Sequence, residues 1–137
     1  MKIFVCLDDH NGLMFNRRRQ SMDKAVREKM LNLSGGSPLW MNAYSADQFD
    51  GPPAQIVVDE QFLEKADAQD FCFVETCAFS FEDASCVYVF RWNRLYPADV
   101  TLDFHPINAN FSLVSTEDFP GNSHEKITLE IYRRIDV

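Results

Sequence analysis

Met1-Lys2-Ile3-Phe4-Val5-Cys6-Leu7-Asp8-Asp9-His10 is the stretch on which the fold turns. Residues 2–7 form a nearly continuous apolar run, and Asp8 ends it. A strand with one wet face would alternate, so an unbroken run marks a strand buried on both faces, as in a parallel sheet. It is too short for a membrane span or a signal-peptide core. The strand should lie centrally, because a sheet edge does not tolerate such a surface.

Similar runs recur. Phe71 to Val74 repeats the two-face pattern, and Val87 to Trp92 carries the β-branched and aromatic residues that suit a pleated surface. Leu39-Trp40-Met41 and Ile56-Val57-Val58 are shorter candidates. Between them lie helical signals. Ser21 is placed to cap a helix whose Met22, Val26, Met30 and Leu33 form one stripe, ended by Gly35-Gly36 and Pro38. Ser45 with Gln48 reads as a capping box opening a short helix to about Phe49, and Asp50-Gly51-Pro52-Pro53 as a turn. Asp59 can cap a helix burying Phe62, Leu63 and Ala66, and Ser80 with Asp83 suggests one helical turn.

The last third changes character. Phe111 to Ser115 and Ile127 to Tyr132 alternate apolar with polar, which predicts strands with one wet face, and Pro120-Gly121-Asn122 lies in their connection. The expectation is a single α/β domain over 1–137: a mostly parallel central sheet, short flanking helices and an antiparallel C-terminal strand pair.

Composition narrows the functional classes. The 137 residues are 46% hydrophobic and 25% charged, ordinary for one globular domain. Twelve Phe and two Trp exceed what a disordered chain carries. A net charge of −8 disfavours nucleic acid and anionic membrane surfaces as partners. Cys6, Cys72, Cys77 and Cys86 show no Cys-x-x-Cys pair, so they read as core thiols of a cytoplasmic protein with no metal site.

The order of segments resembles dihydrofolate reductase in shortened form, over almost the whole chain. The first strand, Asn11-Gly12 and Phe15-Asn16 are similar to that family's first strand and mobile loop. The helix from Ser21 to Leu33 matches the one bearing the substrate carboxylate. Pro38 to Ser45 lies where the family has Ile-Met-Gly-Arg-x-Thr, Phe71 to Val74 where its strand leads into a glycine pair, Val87 to Asp103 where the next strand follows, and Phe111 to Arg134 where its final strand pair lies. Between Phe49 and Phe71 the chain is shorter than the family pattern, in the part that holds the adenosine of NADPH. The chemistry-bearing positions also depart from it. The phosphate-binding Gly-Arg-x-Thr reads Asn42-Ala43-Tyr44-Ser45, the glycine pair reads Glu75-Thr76, and the folate-contacting Thr reads Phe90. For the substrate carboxylate, Asp23 stands at the right distance from Gly12, whereas counting back from Pro38 puts Val26 there.

Several residues become site candidates. Asp8, Asp9 and His10 follow the first strand, and ligands of open α/β sheets bind at such strand ends; a polar loop ending a strand is the plainer reading. Arg17, Arg18 and Arg19, with Lys24 and Arg27, are the one basic concentration and could clamp an anionic small molecule, or simply pair with the abundant carboxylates. Asp23 is either the substrate carboxylate or an acidic residue favoured in a first helical turn. Ser45, Glu75 and Thr76 occupy ligand-facing positions of the resemblance, or merely terminate their segments. His105 and His124 read as surface or turn residues.

No Gly-x-Ser-x-Gly, Walker loop or His-x-His-x-Asp-His cluster is present, which disfavours a metal-dependent ribonuclease. The functional expectation is a non-reductase that uses the sheet as a scaffold for a small ligand or a protein, with no cofactor and no assured catalysis. The alternatives are an NADPH-dependent reductase of a pteridine or flavin-like substrate, and a homodimer joined through an exposed edge or the C-terminal strands.

Overall fold

The computed structural model describes residues 1–51, 53–77, 79–106 and 109–135. Its main sheet has seven strands: β1 (Lys2–Leu7), β4 (Leu39–Met41), β5 (Ile56–Val58), β6 (Phe71–Phe73), β7 (Cys86–Arg91), β9 (Phe111–Phe119) and β10 (Ile127–Arg134). Their order is β5-β4-β6-β1-β7-β10-β9, which puts β1 in the middle. β1 runs parallel to β6 and β7, and β4 parallel to β5 and β6. β10 is antiparallel to both β7 and β9.

The unbroken apolar run of β1 is explained by what covers it. Ile3, Val5 and Leu7 join Cys72, Val74, Val87, Val89, Phe62, Phe104 and Phe111 on one face. Phe4 and Cys6 point the other way, into a core with Val26, Met30, Met41, Phe73, Phe90 and Trp92. Every residue from Ile3 to Leu7 is buried. Burying such side chains contributes about 1.5–3 kcal/mol each, which favours β1 at the centre of the sheet.

Helix α1 (Lys24–Ser34) lays Val26 and Met30 on the second face and ends at Gly35, whose N–H bonds Leu31 O. Its N-cap is Asp23, with the side chain accepting from Ala25 N–H, rather than Ser21. Met22 consequently falls outside the helix and is exposed. Helix α2 (Ala43–Ala46) is capped by Asn42, which accepts from Ser45 N–H; the expected Ser45–Gln48 box does not form, because Ser45 already lies within the helix. Helix α3 (Phe62–Lys65) follows Asp59, whose carboxylate accepts from Gln61 N–H. Ser80 to Asp83 form bends and turns with no helix.

Two further departures have physical causes. Gly12–Phe15 (β2) and Arg18–Arg19 (β3), in the region that the resemblance likens to a mobile loop, build a small second sheet with Val100–Thr101 (β8), in the order β3-β2-β8. These strands are too short to display a period. β9 is exposed at most positions, Leu113 and Val114 included, instead of showing one dry face. It is the sheet edge and packs little beyond β10. Among the thiols, Cys6 and Cys72 are buried as expected, but Cys86 is half-buried and Cys77 exposed.

Candidate functional site

At the carboxyl end of β1, Asp8 is buried, and its four acceptor positions are filled. Oδ1 accepts from the backbone N–H groups of His10 (2.9 Å) and Gly12 (2.6 Å). Oδ2 accepts from Gln20 Nε2 (3.0 Å) and Tyr96 N–H (3.2 Å). Burial pushes this carboxyl upward, but the donors of Gly12, His10, Tyr96 and Gln20 more than offset that and hold it below the ordinary range. Glycine at position 12 is what lets the carboxylate come so close: a Cβ there would lie 2.6 Å from Asp8 Oδ2. Asp9 and the His10 residue are exposed, so the trio is divided into one inward brace and two surface residues.

The basic run is divided likewise. Arg17 and Arg18 lie exposed on the β2–β3 hairpin, while Arg19 turns inward. Its Nε donates to Glu75 Oε2 at 2.9 Å and its NH2 to Glu75 Oε1 at 3.3 Å. The same NH2 reaches Tyr44 O at 3.0 Å, and the guanidinium lies 4.2 Å over the Tyr44 ring. Tyr44 Oη returns the contact by accepting from Arg19 N–H. Gln48 Nε2 donates to Glu75 Oε1 at 3.0 Å, and Asn42 Nδ2 to Thr76 Oγ1 at 3.0 Å. The ends of β4 and β6 are thereby sewn together through Asn42, Tyr44, Gln48, Glu75 and Thr76. Ser45 Oγ is buried here without a hydrogen-bond partner among the described residues. Beneath the network, burial first and the Glu75 carboxylate second push the Cys6 thiol well up. Cys72 is pushed to about 12 by burial, which leaves it protonated and unreactive.

A third cluster joins the start of α1 to the β9–β10 connection. Asp23, besides capping α1, accepts from Asn122 N–H (2.8 Å) and Ser123 N–H (2.8 Å). Its Oδ2 also lies 3.0 Å from His124 Nδ1. Burial raises this carboxyl, but the donors of Asn122, His124, Ser123 and Ala25 outweigh it and hold it well below the carboxylate range. A carboxylate only accepts, so His124 carries a proton on Nδ1, and in the neutral ring Nε2 is then the acceptor. Ser21 Oγ is 3.1 Å and Tyr96 Oη 3.0 Å from that Nε2. Trp92 stacks on the imidazole, centroids 4.6 Å apart and planes 21° apart. The His124 side chain is 4% exposed, so it is no surface residue, although it does lie in the bend that joins β9 to β10. Gly121 permits the approach, since a Cβ there would lie 2.6 Å from Asp23 Oδ2. His105 is an exposed partner of Asp103.

An open, shallow cavity of about 590 Å³ lies between the last two clusters, lined by Arg18, Arg19, Ser21, Met22, Tyr44 and Ser123. The structure therefore gathers Arg18, Arg19, Ser45, Glu75, Thr76 and Asp23 around one region and leaves Asp8 and His10 outside it. Sequence reasoning overlooked Tyr44, Gln48, Tyr96 and His124. His124 bonds Asp23 across 101 positions, a separation that no local pattern reveals.

The strand order, with β1 central and an antiparallel β10–β9 pair closing a parallel sheet, has a counterpart among solved structures. Dihydrofolate reductase from Enterococcus faecalis, complexed with NADP(H) and RAB-propyl, superposes with a TM-score of 0.65 over 98% of this chain and 96% of that one. This chain has the dihydrofolate reductase fold. Sequence identity to the reductase is 7%, so the likeness concerns architecture. Coverage of both chains is nearly complete and gives no support to the expected shortening between Phe49 and Phe71. No family model matches the chain, and no curated protein matches it in sequence. Among the described residues, no helix is long and apolar enough to cross a membrane.

Proposed function

We propose that this chain is a small-ligand-binding domain built on the dihydrofolate reductase fold, without reductase activity. The observation that carries the reading is the Glu75 carboxylate, held by Arg19 and Gln48 at the carboxyl end of β6. The resemblance implies a glycine pair at Glu75-Thr76, whose bare backbone would approach a pyrophosphate. A carboxylate there repels phosphate, and its one neighbouring guanidinium is already engaged. Ala43 brings no cation, and a net charge of −8 supplies no long-range attraction for a polyanion. The residues present therefore fit a dinucleotide poorly.

The adjacent cavity suits a smaller ligand. Its 590 Å³ is within the range of small-molecule sites, and it combines the Tyr44 ring with the exposed guanidinium of Arg18. Among the described residues no ion pair engages Arg18 or Arg17. A compact anion, such as a carboxylate or phosphate on a flat organic body, matches that lining.

Isothermal titration and thermal shift test the reading with NADPH, NADH, folates, nucleotides and simple dicarboxylates. The expected outcome is no saturable NADPH binding in the low micromolar range, together with an anion that raises the melting temperature of the native chain but not of Arg18→Ala. A ligand at 100 times its Kd stabilises by about 2.7 kcal/mol. Saturable NADPH binding that Arg18→Ala abolishes would overturn the proposal and favour the reductase alternative.

The exposed Leu113 and Val114 on edge strand β9 favour a second reading, a homodimer through that edge. Size-exclusion chromatography with light scattering decides it: a monomer at 100 μM excludes the dimer.

A further inference from the structure

Asp23, His124 and Ser21 lie in a chain of contacts that a helix brace alone does not require. Asp23 Oδ2 to His124 Nδ1 is 3.0 Å, and His124 Nε2 to Ser21 Oγ is 3.1 Å. That is the sequence of orienting carboxylate, general base and hydroxyl by which a serine becomes a nucleophile. The carboxylate is fully enclosed and held by backbone donors from two separate segments, so its position is fixed. Trp92 stacked on the imidazole prevents the ring from turning. Ser21 is half-buried and lines the cavity, which gives its hydroxyl a space where an acyl group could sit. The nucleophile, the base, the group that orients it and an adjoining cavity are thus all present.

We propose that Ser21 is a nucleophile for acyl transfer, with His124 as its general base and Asp23 as the positioning carboxylate. The Ser21 Oγ–H bond breaks as Oγ bonds to the carbonyl carbon of an ester, and the proton passes to His124 Nε2. The bond from that carbon to the leaving oxygen then breaks, and the leaving oxygen takes the proton from His124. Water repeats the sequence on the acyl-serine, releasing the acid and restoring the hydroxyl. Tyr96 Oη lies 3.0 Å from the same Nε2 and competes with Ser21 Oγ for its single lone pair. The substrate class rests on the cavity reading given above: with Arg18 at the wall and in no ion pair among the described residues, the preferred ester carries a carboxylate on its acyl side.

A fluorophosphonate probe tests the nucleophile without reference to the anion. On the native chain, mass spectrometry should place one label on Ser21, and protein unfolded in urea should take none. Ser21→Ala should abolish labelling, and His124→Gln should slow it by at least about 100-fold, the share ordinarily supplied by general-base catalysis. Circular dichroism of both variants checks that they fold. No label on the native chain, or a label on another serine only, overturns the proposal whatever the variants do. Hydrolysis of 4-nitrophenyl acetate against the mono-4-nitrophenyl ester of glutaric acid separates the two ideas. A faster glutarate ester, slowed by Arg18→Ala, supports both; equal rates with Ser21 labelled sustain the nucleophile and refute the anion-binding cavity.

Discussion

Replacing Arg19 by Met isolates the ion pair at the centre of the candidate site. The Glu75 side chain is 7% exposed and that of Arg19 19%, so the pair is largely withdrawn from water. Removing one partner of a buried pair costs about 3–5 kcal/mol, because the other charge is stranded. Here Gln48 still donates to Glu75 and Arg19 is not wholly enclosed, which places the cost near the lower end, at about 3 kcal/mol. The contact over Tyr44 adds about 0.5–1 kcal/mol, and the thioether of Met retains part of it. For a chain of this length, that total corresponds to a melting temperature lower by roughly 10 °C. Converting both partners to Met removes the stranded charge, so Arg19→Met/Glu75→Met should return to within about 1 kcal/mol of the native protein. Urea denaturation of the four proteins in the cycle gives the coupling directly. If Arg19→Met costs less than about 1 kcal/mol, or if the double variant is as unstable as the two singles added together, the pair is not the desolvated element described.

Other consequences are equally accessible. Gly12→Ala forces a Cβ against Asp8 and should cost about 2 kcal/mol or more in urea denaturation, whereas Gly36→Ala, where a Cβ meets nothing within 4 Å, should cost less than about 1 kcal/mol. Asp8 and Asp23 both have folded-state pKa values below their unfolded ones, so their contribution is present above about pH 4 and is lost as the pH falls through the lower folded values. Thermal midpoints should accordingly drop below pH 4, and Asp23→Asn should flatten that dependence; an unchanged slope would contradict the enclosed carboxylate. Amide hydrogen exchange should be slowest in β1 and β6, and exchange across Lys2 to Leu7 as fast as in the loops would be incompatible with a central β1. Sulfate or phosphate soaked into crystals should be ordered beside Arg17 and Arg18, and order only at Arg133 or Arg134 would count against the proposed cavity.

What the sequence disclosed follows from how local each signal is. β1, β6 and β7 were legible because burial on both faces demands contiguous apolar residues, and that demand is met within six positions. The end of α1 was legible for the same reason, since Gly35 acts on its own turn. Its beginning was misassigned because Ser21 and Asp23 are both good caps. The choice fell to Asp23 through Asn122 and Ser123, about 100 residues away, which add donors to the Asp23 carboxylate. The site divides in the same manner. Arg19 and Glu75 stood out as a charge among like charges and a carboxylate where glycine was expected. That one guanidinium turns inward while Arg17 and Arg18 stay in solvent depends on the β2–β3 hairpin, whose strands are too short to carry a pattern. His124 gave no signal at all, because a histidine beside Ser123 and Glu125 reads as part of a polar turn until the fold brings Asp23 and Trp92 to it.

The central position of β1 also governs how the chain is made. Lys2 pairs with Phe71 and Cys86, so β1, once it has left the ribosome, meets no neighbour in the sheet until 69 further residues have followed, and its other flank stays bare for 84. At about 5–20 residues per second, that leaves five consecutive apolar side chains without sheet partners for roughly 3–17 s. Ile3 to Leu7 then form an apolar segment of the nascent chain that a chaperone would shield. Fusing the N-terminus behind a slowly folding partner, or moving β1 to the C-terminus by circular permutation, should change the yield of native protein far more than it changes the stability of the finished fold.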